Sequence, residues 1–224
     1  MGKLFGTDGV RGIANTELTP ELAFKLGRVG AYALCKNIRS PQIFVANDSR
    51  RSANMLEAAL TAGLTSMGAN VVMAGMLPTP AVAYIVRKNK FDAGVMVSAS
   101  HNKFEDNGIK FFTSEGFKLP DKIEAEIEML IEKLEKNEDS LPRPTGEDVG
   151  TLSTDFSAGR EYLDFLLSIG NLRKPPLACE APQETRGFRC VTEERSVKNK
   201  ISSMICAEGM SKTVRKGGFR RFPA

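Results

Sequence analysis

The sequence predicts an α/β fold, a sheet with at least partly parallel strands covered by helices. The main observation behind this is an alternation along the first hundred residues, in which short β-prone runs are separated by stretches whose apolar side chains recur at helical spacing. The second is composition. With 224 residues, 42% hydrophobic and 7% aromatic, the chain has material for a packed core and for one domain or two small ones, which excludes disorder throughout.

The elements follow in order. A Gly-rich start leads to Thr19-Pro20-Glu21, an N-cap, a proline at the first helical position and an acidic first turn. They open a helix whose apolar face includes Leu22, Leu26, Val29 and Ala33. A β-prone run at 42–46 ends in Asn47-Asp48-Ser49-Arg50. From about Ser52 a second helix is marked by Met55, Leu56, Ala59, Leu60 and Leu64. Residues 70–74 read as a strand, Thr79-Pro80 caps a third helix to about Lys88, and 93–97 is an apolar strand. A returning strand is expected at 108–112, turned by Ser114-Glu115-Gly116. Ile123, Ile127, Leu130, Ile131 and Leu134 then form one stripe of a surface helix with glutamates opposite. Residues 136–151, with Pro142, Pro144 and Gly146, read as a linker, and 155–168 as a further amphipathic helix.

Charge divides the chain. Residues 1–172 hold 19 basic and 22 acidic side chains, whereas 173–224 hold 12 and 5, so the formal +4 belongs to the end of the sequence. Leucine breaks at the same place, and Leu177 alone follows residue 172. The start carries no apolar leader, and the most apolar stretch is cut by Pro78 and Pro80, so the expected location is the cytoplasm and no membrane partner is foreseen. Four cysteines without a C-x-x-C pair argue against zinc and a disulfide framework. The basic end could contact nucleic acid, but it carries no known motif and little aromatic interleaving, so no nucleic-acid partner is expected.

Ligands of α/β folds gather beyond the carboxyl ends of strands, where two polar loops fall here. Three segments carry candidate chemistry. In Phe5-Gly6-Thr7-Asp8-Gly9-Val10-Arg11-Gly12 the glycines let backbone approach an anion while Arg11 clamps it; the alternative is a plain turn. Arg50 and Arg51 stand at the mouth of the second helix, whose amides favour anions; the alternative is a solvated charged loop. Ser98-Ala99-Ser100-His101-Asn102 puts two hydroxyls and the chain's one histidine at the exit of a buried strand. A Ser-His-Asp hydrolase would need a G-x-S-x-G elbow, which is absent, and this histidine directly follows its serine.

Together and in this order the three segments resemble the α-D-phosphohexomutase superfamily, whose first domain carries F-G-T-[DS]-G-x-R-G, D-[TS]-R-x-S and [ST]-A-S-H-N motifs. The resemblance covers roughly residues 1–168. Asp8 and the run from Ser98 to Lys110 are most similar to the members that act on glucosamine phosphates. It implies a three-layer αβα domain with a mixed, largely parallel sheet at 1–140 and a linker and first helix of a second α/β domain at 141–172; the break in charge and leucine content marks 173–224 as an irregular basic tail outside the family pattern.

The implied reaction interconverts glucosamine 6-phosphate and glucosamine 1-phosphate through a phosphoserine and a bound 1,6-bisphosphate. The resemblance makes Ser100 the phosphorylated serine, its phosphate also holding one Mg2+. It places Arg11 and Lys110 beside that phosphate, with Lys110 or His101 moving protons. Thr7, Asp8, Gly9, Arg50 and Asn102 are expected to bind substrate or phosphate, Arg50 alternatively supporting the loop. A hexosamine phosphate, a hexose bisphosphate and a second copy of the chain are the implied partners. The alternatives are a phosphomannomutase or phosphoglucomutase, or a non-catalytic module binding sugar phosphates or a partner protein.

Lys103 stands where the family has proline, and the family's magnesium loop D-G-D-x-D-R and sugar loop G-E-x-S-G have no counterpart in the 224 residues. The expectation is therefore the N-terminal portion of such an enzyme, inactive alone, with 173–224 a frame-shifted or otherwise foreign reading.

Overall fold

The structure, a computed structural model, describes residues 4–6 and 8–169. The tail at 173–224 and the readings placed on it lie outside the described residues, as does Thr7.

A seven-stranded mixed sheet forms the middle layer. Its strands are β1 (Phe5–Gly6), β2 (Gly9–Ile13), β3 (Gln42–Asn47), β4 (Asn70–Met76), β5 (Ala93–Val97), β6 (Asp106–Thr113) and β7 (Leu152–Thr154), in spatial order β1-β2-β6-β5-β3-β4-β7. The helices are α1 (Pro20–Leu34), α2 (Ala53–Thr65), α3 (Thr79–Lys88), α4 (Asp121–Glu135) and α5 (Ala158–Ile169). Thr19 caps α1 as its sequence predicts, its side chain accepting from the Leu22 amide at 3.2 Å.

Alternation along the central strands builds two cores. Ile43 and Val45 of β3, with Val95, Val97, Ile109 and Phe111, face α1, α2 and α4. Phe44, Ala46 and Met96 face α3 and Ala158 of α5. This is the three-layer αβα arrangement that the motifs implied. The pairing, however, is evenly divided. β3–β4, β3–β5 and β4–β7 run parallel, whereas β1–β2, β2–β6 and β5–β6 run antiparallel. A helix between strands returns the chain to the same end of the sheet and gives parallel neighbours. The helix-free link from β5 to β6 cannot, so that half of the sheet is antiparallel.

Three strands have no counterpart in the sequence reading. The Gly-rich start forms the β1–β2 hairpin, which pairs with β6. Residues 152–154 add β7 to the far edge beside β4, so the sheet continues beyond residue 140, and α5 packs on α3 through Tyr84 and Phe165, ring centroids 4.1 Å apart. Among the described residues no helix is long and apolar enough to cross a membrane.

Candidate active site

The site lies where β5, β3 and β2 deliver their ends to one place. β5 exits into Ser98, which is fully buried; its amide donates to the Gly108 carbonyl at 2.8 Å, and its Oγ accepts from the Ser100 amide at 3.0 Å. Ser98 is thereby spent on shaping the turn, and Ser100 is held half-buried at its head with a φ of 58°. A non-glycine residue in this left-handed region is strained and needs surrounding structure to hold it there.

Arg50 supplies most of that structure. Its Nε donates to Asp48 Oδ2 at 3.0 Å, its Nη1 to the carbonyls of Lys103 and Asp106, and its Nη2 to the carbonyls of Ser100 and Asn102, both at 3.0 Å. All five guanidinium protons are thus engaged, and with Arg50 and Asp48 only 9% and 10% exposed the pair sits inside the loop. Of the two roles that the sequence suggested for Arg50, this geometry fits loop support. Arg51, its neighbour, is exposed.

Arg11 comes from β2, opposite Gly108 of β6. Its Nη1 donates to Asn102 Oδ1 at 3.0 Å and its Nη2 to Asp8 Oδ2 at 2.8 Å, while its Nε is buried with no partner among the described residues. An orphaned cationic donor beside a serine loop is the group an incoming anion would satisfy. Asn102 continues the chain of contacts, its Nδ2 donating to Asp106 Oδ2 at 3.1 Å. Glycine is required at two points of this junction. Gly9 has a φ of 84°, and a Cβ there would stand 2.3 Å from the Ile109 carbonyl oxygen; one on Gly108 would stand 2.7 Å from that of Ser98.

The remaining candidates occupy the same neighbourhood in different ways. Lys110 lies on β6 opposite Met96 and is only 8% exposed. His101 is exposed at the tip of the loop, and Asp8 is exposed beside Arg11. Sequence reasoning did not single out Asn107, whose buried amide donates to Ser52 Oγ at 2.9 Å and whose Oδ1 accepts from the Gly108 amide at 2.8 Å, joining the mouth of α2 to the serine loop. It included Asp48 in the D-S-R segment but gave it no role, although the spacing was readable: an Asp two residues before Arg makes an Asx turn, here Asp48 Oδ1 accepting from the Arg50 amide at 2.9 Å.

A magnesium site does not assemble from these residues. Among the described residues no three His, Cys, Asp or Glu side chains are gathered as ligands for a metal ion. One oxygen from a phosphate on Ser100 would be a partial ligand set.

The family model for phosphoglucomutase/phosphomannomutase, alpha/beta/alpha domain I, matches residues 2–138, and the chain belongs to that family. Within it, the chain is a homologue of phosphoglucosamine mutases. It is 59% identical over 168 residues to the phosphoglucosamine mutase of Caldanaerobacter subterraneus subsp. tengcongensis, covering 75% of this chain and 37% of that protein. It is 55% identical over 166 residues to that of Bacillus subtilis strain 168, covering 74% and 36%. The chain thus spans little more than a third of the length of these curated relatives. In fold it is similar to the crystal structure of a phosphoglucomutase/phosphomannomutase family protein from Burkholderia thailandensis, with a TM-score of 0.60 at 23% identity over 75% of this chain and 36% of that one.

Proposed function

We propose that this chain carries the phosphoserine portion of a phosphoglucosamine mutase, the enzyme activity being the interconversion of glucosamine 6-phosphate and glucosamine 1-phosphate. The observation that carries the proposal is the division of labour between two serines. Ser98 is buried and its hydroxyl is used by the turn, whereas Ser100 is half-buried at the head of a loop braced by Arg50 and bound by Arg11 through Asn102.

In the forward step the bond between phosphorus and Ser100 Oγ breaks as a bond to the free sugar oxygen forms, giving the 1,6-bisphosphate. The sugar hydroxyl loses its proton to a nearby base and Ser100 Oγ gains one. By the family resemblance, Lys110 or His101 would exchange those protons. The second step reverses this chemistry with the other phosphate of the turned bisphosphate, so the net change is an isomerisation. Phosphoryl transfer asks for positioning and charge neutralisation above all. Arg11 supplies neutralisation, and the Asp48–Arg50 pair supplies position by fixing the carbonyls on either side of His101. Magnesium, when bound, would neutralise the phosphate further; its carboxylate ligands would come from outside the described residues. The phosphomannomutase and phosphoglucomutase readings share this serine chemistry and differ in the sugar.

Incubating the purified chain with glucosamine 1,6-bisphosphate and mapping phosphopeptides tests the proposal. One phosphate on Ser100, absent in Ser100→Ala and retained in part by Ser98→Ala, is the expected result. Phosphate on Ser98, or none on either serine, refutes it.

A further inference from the structure

Beneath the loop that carries Arg50 lies a buried acid that the proposed reaction leaves idle. Glu57, in the second turn of α2, is 3% exposed. Its Oε2 accepts from Asn47 Nδ2 at 2.7 Å, and the same amide reaches Asn54 Oδ1 at 3.3 Å. Its Oε1 is buried without a partner among the described residues, and so is Thr61 Oγ1, four residues further along α2. Side chains at that spacing share a helix face, so Thr61 Oγ1 is an acceptor for a proton on Oε1 within reach of a rotamer change.

No described cation pairs with Glu57. On the elements packed against α2, Lys25 and Arg28 of α1 bind Glu135 and Asp139, and Asp48 at the end of β3 binds Arg50. Glu21 lies at the exposed start of α1, and β4 and β5 carry no ionisable side chain. A carboxylate at Glu57 would therefore be a buried charge without a counter-ion, a far more costly species than the neutral acid. Burial accordingly raises its pKa, against the smaller opposing effect of the Asn47 hydrogen bond.

What Glu57 holds is the root of the serine loop. Asn47 is the last residue of β3; its carbonyl accepts from the Leu77 amide at 3.0 Å, and the next amide, of Asp48, donates to the Val97 carbonyl at 3.1 Å. Asp48 in turn fixes Arg50, and Arg50 holds the carbonyls of Ser100 and Asn102. We infer that Glu57 is a positioning residue that acts as a neutral carboxylic acid, fixing Asn47 and through it the Asp48–Arg50 brace, and that its ionisation loosens the serine loop. With a raised pKa in the folded state, this support is complete below the ordinary glutamate range and is lost as pH rises to the raised value. The inference concerns the order of the loop rather than phosphoryl transfer, so it is tested on the unphosphorylated chain and can fail independently of the proposed function.

Two measurements on the full chain decide it. The carboxyl carbon resonance of Glu57, followed by NMR across pH, is expected to titrate above the ordinary glutamate range. Hydrogen exchange at the Ser100 and Asn102 amides is expected to give equal protection in wild type and Glu57→Gln at low pH. The ratio of variant to wild-type protection then grows about tenfold per pH unit between the ordinary and raised values and levels off above. Glu57→Ala, which offers Asn47 no acceptor, should lose protection at every pH. A carboxyl titrating in the ordinary range, a flat ratio, or equal behaviour of the Ala and Gln variants overturns the inference; the first of these needs no variant to fold.

Discussion

Arg50 shows how a charged side chain can be spent entirely on bracing a neighbouring loop. Its guanidinium replaces hydrogen bonds that the loop cannot make within itself, because residues at the head of a tight turn point their carbonyls outward and away from any strand. A lysine would keep the charge but lacks the planar fork that spans four carbonyls and a carboxylate. Arg50→Lys is therefore expected to lower stability by about 2–3 kcal/mol, measured by urea unfolding, because Asp48 and several part-buried carbonyls lose partners together. An unchanged midpoint would mean that the brace is redundant. The D-S-R run was visible in the sequence as a charged loop at a helix mouth, but a side chain's choice between ligand and carbonyls depends on which loop folds over it. Here that loop begins fifty residues later, at Ser100.

Between elements, an acid just past α4 ties that helix to α1. Asp139, just after α4, takes Arg28 of α1 in a bidentate contact of 2.7 and 3.3 Å, accepts from the Leu141 amide at 3.1 Å and binds Arg143 at 2.6 Å. Arg28, first, and these further donors hold the Asp139 carboxyl down at about 2. A depressed folded-state pKa means that the stabilisation is present above the ordinary aspartate range and is lost as pH falls from about 4 towards 2. With Asp139 one quarter exposed, screening limits this to about 1 kcal/mol. Thermal unfolding should show the wild-type midpoint dropping more steeply than that of Asp139→Asn over that interval; parallel curves would remove Asp139 from the acid limb. The α1 and α4 stripes were legible from apolar spacing, as was the helix after 155, whose start lies three residues later, at Ala158. The partner of Arg28 was not, since nothing local to either residue indicates the other.

For the molecule as a whole, the charge division has a direct consequence. The first 172 residues are mildly acidic, and the +4 of the chain arises from residues 173–224. Attraction of such a segment to polyanions is electrostatic and falls steeply with salt. The full chain should bind a heparin column weakly at low ionic strength and elute below about 0.3 M salt, while deletion of residues 173–224, leaving a net −3, should abolish retention. Retention that persists at higher salt, or that prefers one nucleic-acid sequence, would reveal a recognition surface that the composition does not predict.

The sequence by itself determined the α/β class, the order of helices and central strands, and the three segments that make the site, because periodicity, caps and short glycine-bearing motifs are properties of neighbouring residues. It also carried the family likeness. Tertiary structure alone decided that the Gly-rich start is a hairpin on β6, that residues 152–154 extend the sheet, and that half the strand pairs are antiparallel. It alone showed the Ser98 hydroxyl taken up by the turn and the Arg50 guanidinium by carbonyls, and left Glu57 buried with no cation paired to it among the described residues. Each of these depends on burial and on contacts between residues far apart in the chain, and both are set only when the layers close over one another.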